Sequence, residues 1–67
     1  MSPVACKVLG ALILMANDDN VVEATQVEIA HTMGYKKSGG AITYALHFLE
    51  LYNFINIEKK GVYRILL

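Results

Sequence analysis

Two lysine pairs, Lys36-Lys37 and Lys59-Lys60, stand where turns bracket the second half of this chain. Between them come Ser38-Gly39-Gly40 and then Thr43, Tyr44 and His47, at spacings that share one side of a helix. Ammonium groups on turns suit contacts to phosphate oxygens. A threonine hydroxyl can donate to or accept from a base edge, and its methyl can meet a thymine methyl. Tyr44 and His47 can reach bases or phosphates. Amides left bare at a helix start bind phosphate, and glycine lets a partner's backbone come close. Gly40 reads as that point of close approach, and Gly39 rather as a turn residue needing positive φ. Arg64 is either a further cationic contact or a charge that blunts a sheet edge.

Nothing in the pattern supports catalysis, and no cofactor is implied. Cys6, His31 and His47 fall on three different predicted helices, and no Cys-x-x-Cys or His-x-x-x-His spacing suggests zinc. Asp18-Asp19 lacks the spaced ligands of a calcium loop. No glycine-rich loop follows a strand as a phosphate loop would. His31 is read as a surface residue of the second helix.

The elements that must carry these groups can be traced from the N-terminus. Ser2 as cap and Pro3 in the first turn predict a helix to about Ala16. Ala5, Val8, Leu9, Leu12, Ile13, Met15 and Ala16 form one broad apolar arc. The opposite arc holds Cys6, Lys7, Gly10, Ala11 and Leu14 and is nearly uncharged. It is a candidate dimer seam along Gly10, Ala11 and Leu14. Asn17 to Asn20 are turn formers. Val21-Val22 could form a short strand against the C-terminal hairpin.

Thr25 and Glu28 make an S/T-x-x-E capping box that starts a second helix. Val27, Ile29, Ala30 and Met33 supply its apolar side, and Gly34 ends it in the left-handed region. A third helix is predicted from about Ser38 to Tyr52, with Ile42, Ala45, Leu46 and Leu49 facing inward. Its outer arc would hold Thr43, Tyr44, His47, Glu50 and Leu51. Asn53 sits where a left-handed residue often closes a helix. Phe54, Ile55 and Ile57 begin a strand, Lys59-Lys60-Gly61 turns, and Val62 to Leu66 returns. The final Ile-Leu-Leu suggests a strand pinned into the sheet, or a piece of a larger protein.

Sixty-seven residues make one domain, residues 1–67. A chain this short buries only roughly 60% of its unfolded surface, yet 55% of its residues are hydrophobic. That exceeds the ~45–50% of an ordinary domain, so the surplus favours self-association. A lone cysteine cannot close an internal disulfide, which points to a reducing, intracellular setting. The apolar stretch from Met1 to Ala16 has no basic n-region and is too short to span a bilayer, so it is read as a core helix. Net charge is zero, unlike most nucleic-acid modules. However, Lys36, Lys37, Lys59, Lys60 and Arg64 lie in the second half, and Asp18, Asp19, Glu23 and Glu28 in the first.

Thr25-Gln26-Val27-Glu28-Ile29-Ala30 followed by Met33-Gly34-Tyr35 resembles the "T-x-x-E-I-A-x-x-[LM]-G" stretch of bacterial and phage winged helix-turn-helix regulators. Ile42, Leu46, Leu49-Glu50 and Asn53-Phe54-Ile55 resemble the segment that follows there, with Asn53 in place of the usual glycine. The resemblance covers about residues 4–66. It implies an α+β winged helix-turn-helix: three helices, then a short β-hairpin wing. It also implies a cytoplasmic double-stranded-DNA-binding transcriptional regulator, with the third helix in the major groove and the wing on the backbone. The DNA-contacting set would be Lys36, Lys37, Ser38, Gly39, Gly40, Thr43, Tyr44, His47, Lys59, Lys60 and Arg64. Two alternatives fit the same fold. One is a protein-interaction domain using Leu14, Phe48 and Leu51, and the other is the DNA-binding part of a replication initiator. The turn before Ile42 is longer than in MarR-like regulators, and the wing is short. Lys36-Lys37 with Ile42 to Leu46 also resembles binders of left-handed nucleic acid. Here Gly40 stands in place of their asparagine, and the wing has neither Pro nor Trp.

Overall fold

The computed structural model describes residues 2–67, so the Met1 end of the expected first helix lies outside the described residues. Helix α1 spans Pro3–Met15, strand β1 Val21–Glu23, helix α2 Gln26–Thr32, helix α3 Gly40–Leu51, strand β2 Ile55–Lys59 and strand β3 Val62–Ile65. The three strands form one antiparallel sheet in the order β1-β3-β2. The architecture is α+β, three helices with a three-stranded sheet, and the expected short strand at Val21-Val22 pairs with β3.

Local chemistry sets the element ends. Ser2 Oγ accepts from the Ala5 amide at 3.1 Å and caps α1. In the loop that follows, Asn17 Oδ1 accepts from the amides of Asp19 and Val21. The capping box at α2 is complete: Glu28 N donates to Thr25 Oγ1 at 3.1 Å, and Thr25 N donates to Glu28 Oε1 at 2.9 Å. Helix α2 closes as a Schellman motif. Gly34 has φ +89°, its amide donates to His31 O, and the Tyr35 amide donates to Ala30 O. Helix α3 closes in the same way around Asn53, φ +63°. Asn53 N donates to Glu50 O, and Phe54 N to Leu49 O.

The core joins all three helices to one face of the sheet. Val8 and Leu12 of α1, Ile29 of α2, Ile42, Leu46 and Leu49 of α3, and Val22 and Ile55 of the sheet are the largest fully buried side chains. Each such burial contributes about 1.5–3 kcal/mol. Glu50 does not face solvent as its place on the outer arc implied. Its Oε2 accepts from the Ile57 amide at 2.9 Å and ties α3 to β2.

Several expectations are corrected. Helix α3 starts at Gly40, not Ser38, because Gly39 is extended at φ −142°, ψ 178°. That conformation also removes the reading of Gly39 as a positive-φ residue. Strand β2 begins at Ile55 rather than Phe54, and Lys59 belongs to it rather than to the turn. On α1, Ala11 is 4% exposed and packs inward, whereas Ile13 is 50% exposed. Helical spacing from Val8 runs through Ala11, Leu12 and Met15, which leaves Ile13 on the far side. The exposed arc of α1 therefore holds Gly10, Ile13 and Leu14, and not Ala11 as the expected seam had it. Val27 is 44% exposed, because Ile29 and Ala30 take the inner face of the short α2.

Candidate nucleic-acid interface

The segment between α2 and α3 presents Lys36 and Lys37 exposed. His31 Nε2 donates to the Lys36 carbonyl at 3.0 Å, which holds this turn against the end of α2. Ser38 is half-buried and precedes the helix. Gly39 caps α3 with no side-chain acceptor. A Cβ at Gly39 or Gly40 would meet nothing within 4 Å, and neither residue has positive φ. The chain's own fold therefore requires glycine at neither position. The start of α3 is simply bare backbone.

Along α3, Tyr44 is 70% exposed and His47 is exposed beside it. Thr43 departs from the expected free outer position. It is half-buried, and its hydroxyl donates to Gln26 Oε1 at 2.8 Å. Farther along, the surface turns apolar. Leu51 is 74% exposed, and the Phe48 and Tyr52 rings lie 4.6 Å apart at a tilt of 41°. Small and polar residues thus occupy the first half of the exposed α3 surface, and apolar ones the second.

The β2-β3 turn lies close to the start of α2. Gly61 has φ +81°, and a Cβ there would sit 3.4 Å from the Ala24 carbonyl. The Ala24 amide donates to the Gly61 carbonyl at 2.9 Å. These contacts pin the hairpin tip, with Lys60 on it and Lys59 just before. A cleft of ≈570 Å³ opens there, lined by Thr25, Gln26, Val27, Lys60, Gly61 and Tyr63. Burial pushes the Tyr63 hydroxyl above its ordinary pKa. Because Gln26 both lines this cleft and bonds Thr43, the hairpin tip, the start of α2 and the first turn of α3 lie next to one another.

Arg64 differs from the lysines. Its Nε lies 3.0 Å from Glu58 Oε2 in an ion pair, with a longer contact of 3.4 Å from a terminal guanidinium nitrogen to Oε1. The hydrogen bond and charge of Glu58 raise its pKa further, and Asp19 adds to the effect. Nor does Arg64 guard a sheet edge, since β3 is the central strand. Lys36, Lys37, Lys59 and Lys60 are exposed and form no ion pair among the described residues, and Lys60 lines the cleft beside the hairpin tip.

Gln26 is the member of this site that sequence reasoning missed. The capping box places it at the first position of α2, but only the crossing of α2 with α3 shows that it reaches Thr43. Between α1 and the end of α2, Lys7, Gly10, Ala11, Ile13, Leu14, Thr32 and Met33 line a second, shallow groove of ≈550 Å³. Among the described residues no three His, Cys, Asp or Glu side chains gather as a metal site would need. Nor, among the described residues, is any helix long and apolar enough to cross a membrane.

Compared with protein-family models, curated proteins and solved structures, the chain finds no significant match in any of the three.

Proposed function

We propose that this chain is a winged helix-turn-helix module that binds double-stranded DNA, with α3 in the major groove and the β2-β3 hairpin as the wing on the backbone. The order of elements supports this reading: a helix, a capped α2, a glycine-closed turn, α3, then a hairpin. The observation that carries it is the bare start of α3, preceded by Lys36-Lys37 and joined through Gln26 to the cleft beside the pinned Lys60 tip. A helix fits the ~12 Å width of the major groove, and its first half meets base edges. Tyr44 projects from that half and His47 from the turn after it, while Thr43 is shared with Gln26. The four lysines supply the phosphate contacts. Transcriptional regulation is the role such a module would serve. Fluorescence anisotropy on random duplexes at low salt tests the proposal. Absence of binding at micromolar protein, or a Lys36→Ala/Lys37→Ala variant that binds as well as the parent, would falsify it.

A second reading is favoured by a different observation. Leu14 is 80% exposed beside Ile13 and the open surface of Gly10. This face of α1 would pair with a second copy and make the regulator a homodimer. Sedimentation should then show a dimer, and Leu14→Glu should shift it to monomer. A monomer at all concentrations removes the dimer and leaves the DNA reading intact.

A further inference from the structure

We infer that Gln26 and Thr43 act as one base-reading unit whose hydroxyl only accepts. The inference rests on the DNA-binding reading above and specifies what α3 selects.

A threonine hydroxyl has a single proton. Here that proton is directed at Gln26 Oε1, 2.8 Å away across the α2-α3 junction. What remains on Thr43 Oγ1 for a partner is lone-pair density, alongside the methyl group. Gln26 is fixed in turn: with Oε1 engaged, its NH₂ group is the end left to donate. The bond is partly buried, so water competes for it less than at an open surface. Gln26 also lines the cleft beside the hairpin tip, together with Lys60, and Thr43 lies in the first turn of α3, which Lys36 and Lys37 precede in the chain.

The major-groove edges of the bases divide on this point. Adenine N6 and cytosine N4 offer donors, whereas guanine offers only the acceptors N7 and O6. An acceptor-only hydroxyl is satisfied by adenine or cytosine and opposed by guanine. Taken alone, Thr43 could face any base, because a free hydroxyl rotates to suit. Gln26 is therefore a positioning residue, and it turns an indifferent side chain into a selective one.

The experiment is affinity selection from a randomised duplex pool. Anisotropy then follows on the best site and on all four pairs at the position most sensitive to Thr43→Val. Parent protein is expected to prefer adenine or cytosine over guanine there by on the order of tenfold, given about 1–3 kcal/mol for a good polar base contact. Gln26→Ala frees the hydroxyl and should collapse that preference with smaller losses at other positions. Gln26→Glu keeps an acceptor for the Thr43 proton and should retain the preference while weakening binding overall, because it adds a negative charge near phosphate. Thermal melts establish that each variant is folded. A preference for guanine would overturn the inference, since it would mean the amide is reversed and donates to Thr43. Binding by the parent with losses from Gln26→Ala that are uniform across the four pairs would also overturn it, yet spare the DNA-binding proposal. A parent that selects no duplex at all would remove both.

Discussion

Salt dependence separates the lysines from Arg64, and the expected difference can be worked out from the structure. Each phosphate neutralised on duplex DNA contributes about −0.9 to the slope of log affinity against log salt. The positive residues of the second half number five, but Arg64 is already paired with Glu58. The four lysines alone give a slope of about −3.6 per subunit. Raising monovalent salt fourfold, from about 50 to 200 mM, should then weaken binding by roughly two decades. Removing one lysine, as in Lys37→Gln or Lys60→Gln, should flatten the slope by about 0.9 and cut the fourfold-salt effect by a factor of about 3–4. Arg64→Gln should leave the slope nearly unchanged, because its charge is met within the protein. Glu58→Gln should steepen it by releasing Arg64. Anisotropy titrations of one labelled duplex across a salt series read all of these. A parent slope shallower than about −1 would refute the counting of lysines as phosphate ligands. An Arg64→Gln slope change as large as that of a lysine variant would refute the argument from the ion pair.

The two glycines flanking the α2-α3 connection should respond oppositely to alanine. Gly34→Ala places a Cβ at φ +89° and should cost about 1–2 kcal/mol in urea melts. Gly40→Ala meets no atom within 4 Å and should be neutral or stabilising by up to about 1 kcal/mol, yet weaken DNA binding if the backbone approaches the duplex there. Equal destabilisation by both substitutions would contradict the backbone assignment. Thr25→Ala removes one half of the capping box and should lower stability by about 1 kcal/mol, read as a reduced urea midpoint at unchanged slope. The raised Tyr63 pKa gives an alkaline signature. The unfolded chain releases this proton near pH 10 while the folded one retains it, so the contribution is complete below pH 10 and is lost as pH rises through the folded pKa. Urea melts above pH 10 should show that decline in the parent and less of it in Tyr63→Phe.

Most of the frame was legible because its signals are local. Thr25-x-x-Glu28 names its own hydrogen bonds, and Gly34 and Asn53 mark the two left-handed closures that the backbone adopts. Ile42, Ala45, Leu46 and Leu49 announce the inner face of α3 by spacing alone. The failures lie where one element's environment is decided by another. Ile13 and Ala11 could not be told apart on α1, because a helix apolar all round does not reveal which arc its neighbours cover. Val27 looked like core until the short α2 gave its inner face to Ile29 and Ala30. Arg64 read as either a cationic contact or a charge on a sheet edge, whereas the β1-β3-β2 order puts it in the middle strand, paired with Glu58 on β2.

The same distinction governs the candidate site. The exposure of Lys36, Lys37, Lys59 and Lys60 could be read from residue type, since a lysine needs no partner to remain exposed. The roles of Thr43 and Glu50 could not be found by type, since both appear polar and outward on a helical wheel and both are claimed by contacts from other elements. Glu50 holds the hairpin by the Ile57 amide, and Thr43 is held by Gln26. What remains outward on α3 before its apolar last turn is bare backbone, Tyr44 and His47, with no arginine among them. A face of this kind carries little base-specific hydrogen bonding of its own. Its affinity would come mainly from the lysines, and its selectivity from the one hydroxyl whose direction the fold has fixed.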